Sequence, residues 1–202
     1  MSSYKLIIGS RNYSSWSLRG WLAMQQSGAE FEEVKIPCHT DDRTQLIQAQ
    51  SPSGLVPGLA DGDFVINDSL AIAEYLAERH PEAGLWPADA SARAIARAAA
   101  AEMDSGFGAL RSALPMNFNL VREGLDRSAE IDADIQRITN IWENCQFRYS
   151  AGGNFLFGFF CIADAIYAPV ISRLRTYGVP VDPKSAAYMN AVWTHPWMQT
   201  WG

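Results

Sequence analysis

The chain has 202 residues, of which 48% are hydrophobic and 19% are charged, and its formal net charge is −6 at pH 7. This composition is typical of a folded globular protein and disfavours a disordered chain. The acidic balance without a basic stripe argues against a nucleic-acid partner, and the absence of any apolar stretch approaching about 18 residues argues against a membrane span, so we expect a cytoplasmic protein.

The first eighty residues predict a small α/β layer. Strand and helix patterns alternate there: a strand at 6–8, a helix at 16–26, a strand at 31–36, a helix at 43–50, a hairpin at 57–66 and a helix from Ser69 to about His80. The hairpin has the Asp61-Gly62 pair, which favours a tight turn between two strands. The order βαβα followed by ββα implies a mixed sheet.

The remainder of the chain is different in kind. Residues 81–87 read as a linker, and after it come helical patterns at 89–114, 128–149, 162–177 and 185–193 with no convincing hairpin. The sequence therefore predicts an α/β domain over 1–80, a linker over 81–87 and an all-helical domain over 88–202.

The cysteines and histidines do not show the spacing of a metal site. They lie far apart in the chain: Cys38, Cys145, Cys161, His39, His80 and His195. An odd number of cysteines without a CxxC pair favours neither a disulfide framework nor zinc, so we expect no metal.

Two short motifs favour a binding site for a small anionic peptide. The Val56-Pro57 bond can be held cis, which would turn an extended backbone edge towards a ligand. Eleven residues later, Asp68-Ser69 opens an amphipathic stretch, with Ser69 as the expected N-cap, and a helix start offers N–H groups to a carboxylate. Standing alone, Val56-Pro57 would be better interpreted as an ordinary turn.

Four segments together carry a family resemblance across nearly the whole chain. They are the Ser-rich loop 13–19, the stretch 48–57, the helix start 68–76 and the segment 160–165. In this order and spacing they resemble the cytosolic glutathione transferases, closest to the zeta-like and serine-type bacterial groups. The resemblance implies a thioredoxin-like N-terminal domain, an all-helical C-terminal domain, a homodimer, glutathione as co-substrate, and a role in detoxification.

The resemblance also assigns residues to glutathione, and these are Gln48, Leu55, Val56, Pro57, Asp68 and Ser69. The backbone of Val56 would pair with the cysteinyl part, and cis Pro57 would shape that edge. Asp68 and Ser69 would take the γ-glutamyl end, and Gln48 would lie near the glycyl end. No basic residue is assigned to the glycyl carboxylate.

The serine loop is where the thiol would be activated. A free thiol has a pKa near ~8.5, and lowering it by about two units requires roughly 2.7 kcal/mol of preferential stabilisation of the thiolate. The resemblance places Ser14 at the catalytic serine, with Ser15 and then Tyr13 as alternatives. Without the other motifs, this serine cluster would be read as a simple helix cap.

Trp16 departs from the zeta pattern, which has a cysteine there. This difference puts maleylacetoacetate isomerase activity in doubt, while conjugation or peroxidase activity stays open. A glutathione transferase acting on small hydrophobic electrophiles is the main prediction, and a non-catalytic binding or scaffold protein is the alternative from another class.

Two further expectations concern the helical half. The electrophile pocket is expected between the domains, on side chains that could equally be core: Met103, Phe107, Arg111, Met116, Asn117 and Phe118. Cys161 occupies a position where the family usually has Ser or Thr as an N-cap, with Asp164 three residues on completing a capping box.

Overall fold

The computed structural model describes residues 4–37, 40, 42–122 and 124–202. The chain divides into two compact units, Met1–Leu85 and Trp86–Gly202. Cys38 and His39 lie outside the described residues. Within the described ranges, no helix is both long and apolar enough to cross a membrane, and no three His, Cys, Asp or Glu side chains are grouped to hold a metal ion.

The first unit contains a four-stranded mixed sheet and three α-helices. Its elements are β1 (Tyr4–Ile8), α1 (Ser15–Ser27), β2 (Phe31–Lys35), α2 (Arg43–Gln50), β3 (Gly58–Asp61), β4 (Phe64–Asn67) and α3 (Ser69–Arg79), followed by a 3₁₀ turn at Pro81–Ala83. The strand order is β2-β1-β3-β4. β1 pairs with β2 in parallel and with β3 antiparallel, and β3 and β4 form the antiparallel hairpin. The predicted mixed sheet is confirmed.

Residues 6–8 of strand β1 are buried on both faces, which explains the apolar run there, whereas Lys5 is exposed. Successive side chains of a strand point to opposite faces. Ile7 packs with Ile36 and with Ile47 of α2, whereas Leu6 and Ile8 point to the other face and are fully buried. Helices α1 and α3 pack against each other, and α3 contacts β3 and β4. The sheet is therefore a packed support for the loops at its edges.

The cap of α3 differs from the expectation. Asp68, not Ser69, is the N-cap, and its Oδ1 accepts the backbone N–H groups of Leu70 at 2.8 Å and Ala71 at 3.0 Å. The prediction that Ser69 caps this helix was wrong, because an adjacent carboxylate satisfies two N–H groups at once. Ser69 is instead the first helical residue, and its side chain is fully buried.

The second unit is all helical over its described residues. Its helices are α4 (Ala90–Ser105), α5 (Gly108–Ala113), α6 (Ala129–Tyr149), α7 (Ile162–Thr176), α8 (Pro183–Trp193) and α9 (Pro196–Trp201). Helix α7 is buried almost throughout, and α4, α6 and α8 pack around it. Trp142 of α6 contacts the rings of Tyr167 and Tyr188 edge to face, with centroids 5.7 and 4.9 Å away.

Two helix predictions in this unit need correction. The stretch 89–114 is not one helix, because Gly106 has extended backbone and Phe107 takes a left-handed conformation with φ of 59°. Helix α9 was not predicted. It starts at Pro196, in the first helical position, where the missing N–H of proline costs no hydrogen bond.

Asp164 links the start of α7 to two other segments. Its carboxylate accepts the N–H groups of Cys161 at 2.9 Å and Leu156 at 3.1 Å and the hydroxyl of Tyr188 at 3.0 Å. Burial raises the pKa of Asp164 to about 6, although these hydrogen bonds act to lower it. The bond to the N–H of Cys161 is the acidic half of the predicted capping box.

Candidate functional site

Ser14 stands at the N-terminus of α1, at the end of the turn that leaves β1. It is the N-cap of the helix, and its Oγ accepts the N–H of Ser17 at 3.3 Å. The same hydroxyl donates to Ser17 Oγ at 2.8 Å, and Ser17 Oγ also accepts the N–H of Gly9 at 3.0 Å. The buried Ser17 therefore ties the Ser14 side chain to the end of the central strand.

A first cavity of about 360 Å³ opens beside this turn. The residues that line it come from the turn, the start of α1, α2 and the segment before β3: Ser10, Tyr13, Ser14, Ser15, Trp16, Arg43, Ile47, Gly54, Leu55 and Val56. Both predicted serines and the alternative donor Tyr13 thus line the same cavity as Leu55 and Val56.

A second cavity of about 350 Å³ lies at the start of α3. It is lined by Trp16, Leu55, Val56, Pro57, Asn67, Asp68 and Ser69. The Val56-Pro57 bond is cis, as the sequence indicated it could be. Ser69 Oγ is buried and has no hydrogen-bond partner among the described residues. Because burying an unpaired hydroxyl costs free energy, this oxygen is a candidate donor to a polar ligand in the cavity.

The two cavities adjoin, since Trp16, Leu55 and Val56 line both of them. They form one groove, which we name the edge groove, along the Leu55–Pro57 backbone of the first unit. Arg43 and Ser14 line the first cavity, and Asp68 and Ser69 line the second. The groove thus presents a cation and a helix N-terminus with a hydroxyl in one cavity, and a second helix N-terminus in the other.

Gln48 lines neither of these two cavities. It is exposed on α2, and a Cβ added at Gly54 would lie 3.6 Å from its Cγ, so it borders the groove at the Arg43 end. Arg43 itself was missed by the sequence analysis. No sequence signal marked it, because an exposed arginine at the first position of a helix resembles other solvated side chains.

The six residues predicted for the electrophile pocket all lie in the second unit. Phe107 is buried at the break between α4 and α5, and Arg111 Nη1 donates to the carbonyl oxygens of Asp104 at 3.0 Å and Gly106 at 3.3 Å. The carbonyl of Asn117 accepts from Thr176 Oγ1 at 2.9 Å. Their proposed contact with a substrate stays a prediction.

Three comparisons with known proteins agree with one another. A family model described as "Glutathione S-transferase, N-terminal domain" matches residues 13–79. A glutathione S-transferase of Triticum aestivum is 29% identical over 204 residues, covering 93% of this chain and 94% of that protein. A zeta class glutathione S-transferase of Euphorbia esula is 36% identical over 115 residues, covering 56% of this chain and 51% of that protein.

A solved structure extends the similarity to the whole chain. It is a glutathione transferase homolog from Burkholderia with bound glutathione, 26% identical, with a TM-score of 0.74 over 98% of this chain and 95% of that one. The expected fold class, a thioredoxin-like domain followed by an all-helical domain, is confirmed. Ser14, the cis edge and the start of α3 all lie within the matched residues 13–79.

Proposed function

We propose that this chain is a glutathione-dependent transferase of the glutathione S-transferase family and that it joins the activated sulfur of glutathione to small hydrophobic electrophiles. One observation carries the proposal: Ser14 and the buried, unpartnered Ser69 Oγ line a single groove along a cis Val56-Pro57 edge. A tripeptide with two terminal carboxylates fits this distribution of donors.

The distribution of groups over the two cavities of the edge groove sets the direction of the tripeptide. Its γ-glutamyl carboxylate accepts from Ser69 at the start of α3, and Asp68 receives the ammonium group. The cysteinyl backbone pairs with Val56, and the glycyl carboxylate lies at Arg43, near Gln48. Opposite charges at both ends of the groove support this direction over its reverse.

Ser14 is the proposed donor to the sulfur. Its hydroxyl hydrogen, which goes to Ser17 Oγ in this structure, turns towards the thiolate when glutathione binds. The N-terminal end of α1 adds a favourable partial charge at the same place. A charge-assisted hydrogen bond and a helix N-terminus together are of the size, roughly 2.7 kcal/mol, that a two-unit drop in thiol pKa requires.

The test is the Ser14→Ala variant, assayed with glutathione and 1-chloro-2,4-dinitrobenzene. We expect kcat to fall at least about tenfold, because loss of a hydrogen bond to a charged group costs about 1.5–3 kcal/mol. The glutathione affinity, measured by calorimetry, should change little. Absorbance of the thiolate at neutral pH should be present in the wild type and lost in the variant.

The matched controls are Ser15→Ala and Tyr13→Phe, which alter the neighbouring hydroxyls on the same wall. Full activity in Ser14→Ala with loss in one control would move the donor role to that residue. No uptake of glutathione by the wild type at millimolar concentration would overturn the proposal. Binding without a thiolate band would favour the scaffold alternative, and turnover of maleylacetone or a hydroperoxide would identify isomerase or peroxidase activity.

The remaining assignments rest on the family resemblance. Phe107, Arg111 and Asn117 of the second unit contact the electrophile, and the protein acts as a homodimer in cytoplasmic detoxification without a metal. Sedimentation of the purified chain tests the dimer, and the dependence of KM for the electrophile on Phe107→Ala tests the pocket.

A further inference from the structure

A partly buried carboxylate outside the edge groove contacts the serine turn. Glu33 of β2 accepts two bonds from one guanidinium, from Arg11 Nε to Oε1 at 3.3 Å and from Arg11 Nη2 to Oε2 at 2.7 Å. Trp21 Nε1 of α1 donates to Oε2 at 3.0 Å, and Lys35 Nζ lies 3.3 Å from Oε1. One carboxylate therefore joins the turn, α1 and β2.

These contacts are shielded from solvent more than an ordinary surface ion pair. The Glu33 side chain is 18% exposed and that of Arg11 is 29% exposed. Burial acts to raise the pKa of Glu33, but the hydrogen bonds and positive charges of Arg11 and Lys35 outweigh it, and the pKa lies below its usual value. The carboxylate is thus ionised at neutral pH, and the bidentate pair has a fixed geometry.

Arg11 lies in the turn that leads from β1 to Ser14. Ser10 and Tyr13, on either side of it, both line the edge groove, and Ser14 N donates to the carbonyl of Ser10 at 2.8 Å. Trp21 fastens the same carboxylate to α1, the helix that Ser14 caps. Both ends of the segment that holds Ser14 are therefore tied to one point on β2.

We propose that Glu33 is a positioning residue for thiol activation: with Arg11 and Trp21 it fixes the turn so that the Ser14 hydroxyl reaches the sulfur of bound glutathione. This inference rests on the proposed function, but its structural half can be measured without glutathione. We call the contacts of Glu33 with Arg11 and Trp21 the clamp. Because the proposed glutathione contacts at Val56 and Ser69 come from other elements, the clamp affects turnover rather than binding.

The test compares Glu33→Gln with Glu32→Gln. Glu32 is the adjacent carboxylate on the same strand, and its pair with Lys5 is exposed, with both side chains more than half accessible. For Glu33→Gln we expect kcat to fall about tenfold, since a small displacement of a catalytic group lowers the reaction rate by up to about a hundredfold. We also expect the pKa of the bound thiol to rise by about one unit. The KM for glutathione should change less than about twofold. Glu32→Gln should match the wild type in all three.

Amide hydrogen exchange over residues 9–16 gives an independent readout. It should be faster in Glu33→Gln than in Glu32→Gln or the wild type. Arg11→Lys, which keeps the charge but loses the bidentate pair, should shift exchange and kcat in the same direction, and it decides the question if Glu33→Gln does not fold. A folded Glu33→Gln protein with wild-type exchange, kcat and thiol pKa would overturn the clamp. If the wild type did not turn over glutathione, the proposed function would be overturned instead. The exchange rates over residues 9–16 would still test whether Glu33 fixes the turn.

Discussion

The most useful single residue that the structure adds to the groove is Arg43. It lines the first cavity at the start of α2, at the end away from Ser69. A carboxylate placed there meets both a guanidinium and the positive end of a helix, so this end of the groove is suited to the glycyl carboxylate. An acidic protein needs such local donors to hold an anion, because its overall field is repulsive.

Arg43→Gln should therefore weaken glutathione binding by about tenfold, which corresponds to ~1.4 kcal/mol for a partly exposed charged contact. At saturating glutathione the kcat should be unchanged, because Ser14 is untouched. Titration calorimetry measures the first effect and steady-state kinetics the second.

Arg79→Gln is the matched control, since this exposed arginine lies in the last turn of α3, at the opposite end from Ser69. Equal losses of affinity in the two variants would show that general charge matters and that Arg43 has no specific contact.

Residues of the groove differed in how well the sequence predicted them. The Val56-Pro57 edge and Asp68-Ser69 could be found because proline and capping residues carry strong local signals. Arg43 could not, because an exposed arginine at a helix start resembles any solvated side chain. The N-cap of α3 was assigned to Ser69 instead of Asp68, since both Asp and Ser are good N-caps. Only the backbone, with φ of 77° at Asp68, decides between them.

At the scale of elements, the start of α7 is built around a weak cap. Cys161 is the N-cap, it is fully buried, and burial raises the pKa of its thiol well above the usual value, so it is not a reactive thiolate. Asp164 already satisfies the N–H of Cys161. What a better cap adds is a stronger acceptor for the N–H groups at the helix start.

Cys161→Ser should raise the free energy of unfolding by about 0.5–2 kcal/mol, the usual range for a capping oxygen, and the melting temperature by about 2–4 °C per kcal/mol. Turnover should not change. Thermal unfolding followed by circular dichroism measures the effect.

Cys145→Ser provides the control, because Cys145 is a buried residue inside α6, where a hydroxyl gains no capping role. That variant should be neutral or less stable. If Cys161→Ser melted at a lower temperature than the wild type, the capping argument would fail.

The elements themselves were mostly predictable because their periodicity is local. The break at Gly106-Phe107 was not, because an alanine-rich helical pattern continues across it, and only the left-handed backbone of Phe107 separates α4 from α5. Helix α9 was missed because a proline inside a short segment resembles a stop, although the first turn of a helix accepts it.

At the scale of the whole molecule, every group proposed to hold glutathione lies in the first unit. The edge groove draws all its lining residues from 10–69, inside Met1–Leu85. A ligand that binds only the folded state stabilises it in proportion to the logarithm of its concentration over Kd. Glutathione binding should therefore appear as stabilisation of this unit even when no electrophile is present.

At glutathione concentrations of about 100 times Kd, we expect the unfolding transition of the first unit to gain about 2.7 kcal/mol, a rise of several degrees in melting temperature. Ser14→Ala should show the same shift, since its defect is in the thiolate and not in binding. Arg43→Gln should show a smaller shift at the same concentration, because a tenfold weaker Kd removes about 1.4 kcal/mol of the stabilisation. Calorimetric scans of the three proteins with and without glutathione measure all of these shifts. The control ligand is S-methylglutathione, which keeps both carboxylates but has no thiol, and it should stabilise the wild type as much as glutathione does. Stabilisation that is lost in Ser14→Ala, or with S-methylglutathione, would show that the sulfur dominates binding, contrary to the division of roles along the groove.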